Sequence, residues 1–270
     1  LNLRPHMSLS VPKGPQRIVC LTEEPTEILY ALGEGHRVVG ISAYTVRPPE
    51  ARQEKPIVSA FLDGSLKKIA ALEPDLVIGF SDIQAKLAAK LITAHLPVLI
   101  FNQRSLQEIL DVIVDIGSLV GQRDKAQGLV EGYITRIEQV QSESEQQAHR
   151  PLVYFEEWHD PMITGIRWVH ELIEIAGGKD VFADKSQAEG AADRIVSIDE
   201  VLASEAEIML ASWCGEPFDR SHLDQREGFD ALPAVRDNRI YEIPSEIILQ
   251  PGPACLTDGL EALVRCIRGP

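Results

Sequence analysis

Five polar and aromatic residues follow one another directly after an apolar run at 152–155, in the second half of the chain. They are Glu156, Glu157, Trp158, His159 and Asp160. The apolar run is typical of a buried strand, and open α/β sheets present ligand-binding groups where their strands end. Imidazole is a common metal ligand, and a flat indole suits a flat conjugated ligand. We interpret this stretch as one wall of a binding site, with His159 as the candidate metal ligand.

The elements needed to position such a wall are visible earlier in the chain, where predicted strands and helices alternate. The predicted strands are 17–21, 38–42, 56–59, 75–80 and 97–101, and the predicted helices are 25–32, 66–72, 84–95 and 105–121. Ser105 with Glu108 has the spacing of a capping box at a helix start. This alternation is typical of a parallel sheet covered by helices.

Residues 123–145 differ, because their apolar positions keep a helical period for more than five turns without a proline. At 1.5 Å per residue such a helix is about 35 Å long, roughly the length of one domain. We interpret it as a connector between two lobes. The division is 1–14 as a leader or an added remnant, 15–121 as the first lobe, 122–148 as the connecting helix and 149–270 as the second lobe.

A repeat supports two similar lobes. The segment SLKKIAALEPDLVIGFS begins at Ser65, and SIDEVLASEAEIMLASW begins at Ser197 with matching apolar positions. The predicted fold class is therefore α/β, with two similar lobes, central parallel-type sheets, one long joining helix and a ligand cleft between the lobes.

If the lobes face each other, the segments after equivalent strands meet in the cleft, where two-lobed proteins bind small ligands. The predicted ligand contacts are Glu24, Tyr44, Phe61 and Ser81 from the first lobe, and Glu157, Trp158, His159, Trp213, Glu246 and Gln250 from the second. Such a cleft is aromatic and acidic.

Composition excludes several classes of function. The formal net charge of −15 argues against nucleic-acid binding, which depends on lysine and arginine at the phosphates. No apolar run approaches the roughly 20 residues needed to span a bilayer. The four cysteines show no zinc spacing, and the sequence contains none of the GxSxG, GxxxxGK[ST], HExxH or GxGxxG motifs. We therefore expect no enzyme activity and no cofactor of the protein's own.

Five segments together resemble one known family. They are PTEILYALG at 25–33, LKKIAALEPDLVIG at 66–79, ELIEIAGGKDVF at 171–182, SIDEVLASEAEIML at 197–210 and LQPGPACLTDGLEAL at 249–263. Their order is similar to that in the periplasmic binding proteins whose two α/β lobes are joined by one long helix, the group that serves importers of cobalamin, iron-siderophores, haem and metals. The stretches ISAYTVRPPE and EEWHDPM look most like the cobalamin-binding branch, in which aromatic residues stack on the corrin. By position, Tyr44 and Phe61 take that role.

The resemblance implies a substrate-binding protein that captures a cobalamin-like corrinoid or a related metal chelate for an ABC importer. Its partners are then the small ligand and the importer's transmembrane subunits, and we expect a monomer in the periplasm or anchored outside the cytoplasmic membrane. A receptor for haem, a siderophore or a transition metal is an alternative. Another is a cytoplasmic relative without a transport role, since residues 1–14 lack a signal-peptide pattern.

Overall fold

The computed structural model describes residues 13–60 and 63–269, and it contains two sheets with helices packed on them. Within those ranges the strands are β1 Ile18–Cys20, β2 Val38–Ser42, β3 Ile57–Ala60, β4 Asp63–Gly64, β5 Leu76–Phe80, β6 Val98–Phe101, β7 Leu152–His159, β8 Met162–Thr164, β9 Lys179–Asp180, β10 Ile208–Ala211 and β11 Ile240–Glu242. The helices are α1 Glu23–Ala31, α2 Pro49–Glu54, α3 Leu66–Ala71, α4 Ala85–Thr93, α5 Leu106–Leu119, α6 Arg123–Ser144, α7 Arg167–Ala176, α8 Ala183–Ser186, α9 Ile198–Ala203, α10 Ser221–Asp224, α11 Pro233–Arg236, α12 Ser245–Ile248 and α13 Leu260–Arg268.

Each lobe is built on a mainly parallel sheet. The first sheet has the strand order β4-β3-β2-β1-β5-β6, and within it only the short β4 runs antiparallel to its neighbour. The second has the order β11-β10-β7-β8, with β9 also paired to β7, and here β8 is the antiparallel strand. The predicted fold class, two α/β lobes with parallel-type sheets, is confirmed.

The repeat seen in the sequence corresponds to equivalent elements of the two lobes. Helices α3 and α9 begin at Leu66 and Ile198, and strands β5 and β10 begin at Leu76 and Ile208, so both pairs are 132 residues apart. Before each helix stands a serine whose hydroxyl oxygen accepts a backbone N–H of the first turn. The same local capping therefore starts the same helix-then-strand unit twice.

Helix α6 joins the lobes and packs against the last helix of the chain. Arg136 on α6 donates to Glu261 at 2.7 Å, and Arg268 donates to the carbonyl of Val140 at 2.8 Å. One apolar core runs without interruption from the first lobe through α6 into the second. Because the lobes share this core, we expect any relative motion to be small. Neither α6 nor another helix in the described part of the chain is long and apolar enough to cross a membrane.

The strand predicted at 152–155 is longer than its apolar residues indicate. Strand β7 continues to His159, and it forms a hairpin in which Glu156 pairs with Thr164 and His159 pairs with Met162. The backbone groups that a loop would leave to water are satisfied by β8. The hairpin holds the four residues Glu156 to His159 rigidly, with side chains on both faces of the sheet.

Candidate ligand-binding cleft

A cavity of about 990 Å³ lies between the lobes. The first lobe lines it with the start of α1, the turn after β2 and the strands β3 and β4. The second lobe lines it with the segment after β10, the end of β11 and the region around α12. Most of these segments follow parallel strands. They therefore lie at the carboxyl ends of the strands, where a sheet of this type presents its ligand-binding groups.

Three of the residues predicted from the sequence line this cavity, namely Tyr44, Glu246 and Gln250. Tyr44 follows β2 and is 50% exposed, so much of its side chain is open to the cavity that it lines. Its ring reaches across the cleft, since a methyl group placed on Gly215 of the second lobe would lie 3.8 Å from Tyr44 Cε1. Phe61, the other predicted stacking residue, lies outside the described residues.

Trp213 is buried, and its indole N–H takes part in a network of buried charged groups. It is 3% exposed and donates its Nε1–H to Glu156 at 3.0 Å. Glu156 is itself fully buried and accepts three more hydrogen bonds: one from the Tyr154 hydroxyl at 2.7 Å and two from Arg226 at 2.7 and 3.1 Å. A buried carboxylate needs such partners. The Trp213 indole is therefore held within this network, and Trp213, which the sequence predicted as a ligand contact, is not among the described residues that line the cavity.

Trp158 and His159 belong to an aromatic cluster beside this network. The His159 ring lies 4.3 Å from the ring of Trp213 and 4.3 Å from that of His222, between centroids, and the Trp158 ring lies 5.0 Å from His159. His159 is not among the described lining residues, but its Nε2 lies 3.6 Å from Oε2 of Glu216, which lines the cavity. The described residues, which omit 61 and 62, contain no group of three or more His, Cys, Asp or Glu side chains arranged to hold a metal.

The remaining predicted contacts are held by protein partners. Glu157 forms an ion pair with the buried Arg194, at 3.0 Å between Arg194 Nη2 and Glu157 Oε1. Ser81 is fully buried, and its hydroxyl oxygen accepts the N–H of Ile83. Glu24 is 2% exposed and sits behind the cleft floor against Gly252. None of these three lines the cavity as it stands.

The floor of the cleft carries a buried acidic pair at the start of α1. Glu23 lines the cavity and is 5% exposed, while Glu24 lies behind it. Burial raises the pKa of Glu23 to about 7, and burial together with the charge of Glu23 raises the pKa of Glu24 to about 8. Each carboxyl group has one oxygen, Oε2, that is buried without a hydrogen-bond partner. This is a costly arrangement, and such arrangements cluster at functional sites.

Cys214 is exposed at the cavity wall, opposite the first lobe. Loss of water around the thiol, reinforced by the charges of Glu157 and Glu23, raises its pKa to about 11. A thiol of that pKa is protonated at neutral pH and is a poor nucleophile.

Several residues that line the cavity were not predicted from the sequence, notably Arg52, Asp63 and Glu242. Glu242 ends β11, so the rule that ligand groups follow strands could have found it. Arg52 lies on α2 and Asp63 in the short β4, and neither position carries a local signal.

Comparison with known protein families matches residues 18–247 to the family described as periplasmic binding protein. The chain belongs to the periplasmic binding protein family. The resemblance predicted from the sequence is thus confirmed, and the two lobes and their joining helix are this family's architecture.

Among its relatives is an uncharacterized ABC transporter substrate-binding lipoprotein, YvrC, from Bacillus subtilis, 27% identical over 97% of this chain and 83% of that protein. The vitamin B12-binding protein of Vibrio parahaemolyticus is 28% identical over 94% of this chain and 90% of its own length. The periplasmic haem-binding protein RhuT from Roseiflexus, in apo form, superposes with a TM-score of 0.79 at 25% identity over 94% of this chain and 100% of that one. The periplasmic vitamin B12-binding protein BtuF of Vibrio cholerae has a TM-score of 0.75 at 24% identity, over 95% and 98% of the two chains.

Proposed function

We propose that the protein is a substrate-binding protein that captures a cobalamin-like corrinoid, or a closely related metal chelate, between its two lobes. The observation that carries the proposal is the interlobe cavity of about 990 Å³ with the half-exposed ring of Tyr44 on its wall. Small-ligand sites have volumes of about 300–1,000 Å³, and an exposed aromatic ring offers a flat face to a conjugated macrocycle. Similarity to a vitamin B12-binding protein over 94% of the chain supports this ligand.

Titration of the purified protein with cyanocobalamin and dicyanocobinamide tests the proposal. A corrin absorbs where tryptophan emits, so bound ligand quenches tryptophan fluorescence even without touching an indole. Quenching that saturates at micromolar ligand is the expected result. No change with either corrinoid would contradict the proposal.

Tyr44 provides a matched pair of variants. Tyr44→Leu removes the aromatic face and should weaken binding by about 10- to 100-fold, as expected for an anchoring aromatic residue, whereas Tyr44→Phe keeps the ring and should bind nearly as the parent does. Equal affinities for the two variants would remove Tyr44 from the site.

Haem is the second candidate, favoured by the structural similarity to a haem-binding protein at 25% identity. A haem titration followed by its Soret band separates the two ligands. No histidine stands among the described residues that line the cavity, so an axial ligand to haem iron would have to be another donor, such as the Tyr44 hydroxyl.

We further propose that the loaded protein works as a monomer with the transmembrane subunits of an ABC importer, outside the cytoplasmic membrane. The relative named as an ABC transporter lipoprotein supports this partner and this location. Fractionation of the native cells, followed by immunodetection, should find the protein in the periplasm or on the membrane. Detection in the cytoplasmic fraction alone would favour a relative without a transport role.

A further inference from the structure

The turn that carries Tyr44 lies at the cavity wall, directly after β2. The sheet holds the chain as far as Ala43, whose N–H donates to the carbonyl oxygen of Ser59 at 2.8 Å. Beyond that point the backbone bonds of the turn are local: the N–H of Thr45 donates to the carbonyl oxygen of Ser42, and the N–H of Tyr44 donates to the Ser42 hydroxyl, both at 3.2 Å. The turn therefore leaves the sheet at the residue whose ring faces the cavity.

Arg52 supports this turn from outside. Its Nη1 atom donates to the carbonyl oxygen of Ala43 and also to that of Thr45 at 3.3 Å, so one nitrogen bridges the two residues that flank Tyr44. The Ala43 carbonyl and the Tyr44 N–H belong to the same planar peptide unit, so holding the oxygen also orients the N–H toward Ser42. Hydrogen bonds from a charged donor are roughly twice as strong as those between neutral groups. The bridge therefore fixes the backbone on both sides of the ring.

The position of Arg52 suits it to this role. It stands on α2, which begins at Pro49 and is anchored in the first lobe by the fully buried Ala51. Arg52 itself is exposed, so its charge remains hydrated and costs the fold little. Half of the Tyr44 side chain is free of packing contacts, so the backbone beneath it largely decides where the ring lies.

We propose that Arg52 is a positioning residue of the cleft, which acts on the ligand through Tyr44 by holding the turn at 42–45 so that the ring is in place before a flat ligand enters. The inference rests on the proposed role of Tyr44 and adds the residue that preorganises its ring. Ordering a side chain during binding lowers affinity, and a rigid support removes that cost. If the competent arrangement of the turn were populated only about a tenth of the time, affinity would fall about tenfold.

A double-mutant cycle with Tyr44→Leu distinguishes positioning from direct contact with the ligand. Arg52→Met keeps a long side chain but removes the charge and the donors. Titration with dicyanocobinamide, followed by tryptophan fluorescence, should show an affinity loss of about tenfold when Tyr44 is present. In the Tyr44→Leu background the loss should be less than about twofold, because no ring is left to position. Lys90→Met removes the same charge from an exposed position on α4 and should leave the affinity unchanged.

A measurement without ligand tests the support of the turn directly. Amide hydrogen exchange, followed by mass spectrometry of peptides that cover residues 42–46, should be faster in Arg52→Met than in the parent and in Lys90→Met. Peptides from β10 in the second lobe should exchange equally in all three proteins, which verifies that the fold is intact.

The outcomes separate the inference from the function beneath it. An equal loss of affinity with and without the Tyr44 ring would show that Arg52 contacts the ligand itself, and would overturn the positioning role. Unchanged affinity in Arg52→Met, or unchanged exchange at 42–46, would overturn it as well. If dicyanocobinamide does not bind the parent protein, the proposed function fails, and the exchange measurement alone decides whether Arg52 holds the turn.

Discussion

Replacing Glu24 with glutamine should stabilise the protein by an amount that grows with pH. Glu24 is 2% exposed, and its carboxyl group accepts one hydrogen bond, from the Thr22 hydroxyl at 2.8 Å, while its other oxygen has no partner. Burial and the neighbouring Glu23 raise its pKa from an ordinary value of 4.5 to about 8. The folded state therefore holds this proton to a higher pH than the unfolded state does.

The sign and size of the effect follow from proton linkage. Between the unfolded and folded pKa values the native state binds more protons, so the free energy of unfolding falls as pH rises from 4.5 to about 8. Each unit of pKa difference corresponds to about 1.4 kcal/mol, so ionised Glu24 costs the fold on the order of 5 kcal/mol at about pH 9. Glutamine has no charge to bury and avoids this cost. At about pH 5 most of the cost is absent in the parent, and the two proteins should agree within about 1 kcal/mol.

Urea denaturation followed by tryptophan fluorescence measures this difference at the two pH values. Glu138→Gln serves as the control, because it removes the same charge from an exposed position on α6 and should have nearly the same small effect at both. A stability difference between Glu24→Gln and the parent that does not change with pH would refute the reasoning. So would a loss of stability in Glu24→Gln at about pH 9.

Three substitutions test the packing around the cleft. Trp213→Phe removes one hydrogen-bond donor to the buried Glu156 and should lower the free energy of unfolding by about 1–3 kcal/mol. Corrinoid affinity should stay nearly unchanged. A large loss of affinity at full stability would instead show that Trp213 contacts the ligand. Arg226→Met leaves the Glu156 carboxylate without its cation and should lower the free energy of unfolding by about 3–5 kcal/mol in the same denaturation assay. A change near zero would show that the ion pair is not buried in solution. Gly252→Ala places a methyl group 2.6 Å from Glu24 Cβ where the lobes meet, so a loss of about 1–3 kcal/mol is expected, and an unchanged melting temperature would argue against that contact.

The fold was largely predictable because its signals are local. Residues close together in the chain determine the apolar periods, the serine caps before α3 and α9, and the proline-free α6. The repeat 132 residues apart is found by comparing two such short segments. The extension of β7 to His159 was not predictable in this way, because a polar and aromatic run reads as a loop until a hairpin partner pairs with it. The buried carboxylate of Glu156 on β7 also depends on Arg226, which lies 70 residues further along the chain.

The residues that line the cavity were predictable only where the position of a residue at the end of a strand decides whether its side chain is exposed. Tyr44 follows a strand edge and lines the cavity, whereas Trp213 stands at an equivalent edge and is buried. The difference comes from what packs on Trp213, namely Phe218 and His222, and neither contact has a sequence signature.

The sequence by itself determined two α/β lobes, their joining helix, the family and an acidic cleft, because each of these depends on residue types and short spacings. The tertiary structure alone decided which side chains face that cleft. It turned the residues from Glu156 to His159 into a supporting strand and left Glu23 at the floor with an unpaired carboxylate oxygen. The reason is physical: the burial of a side chain, and with it its charge and its free hydrogen-bonding atoms, is set by partners that come from distant parts of the chain.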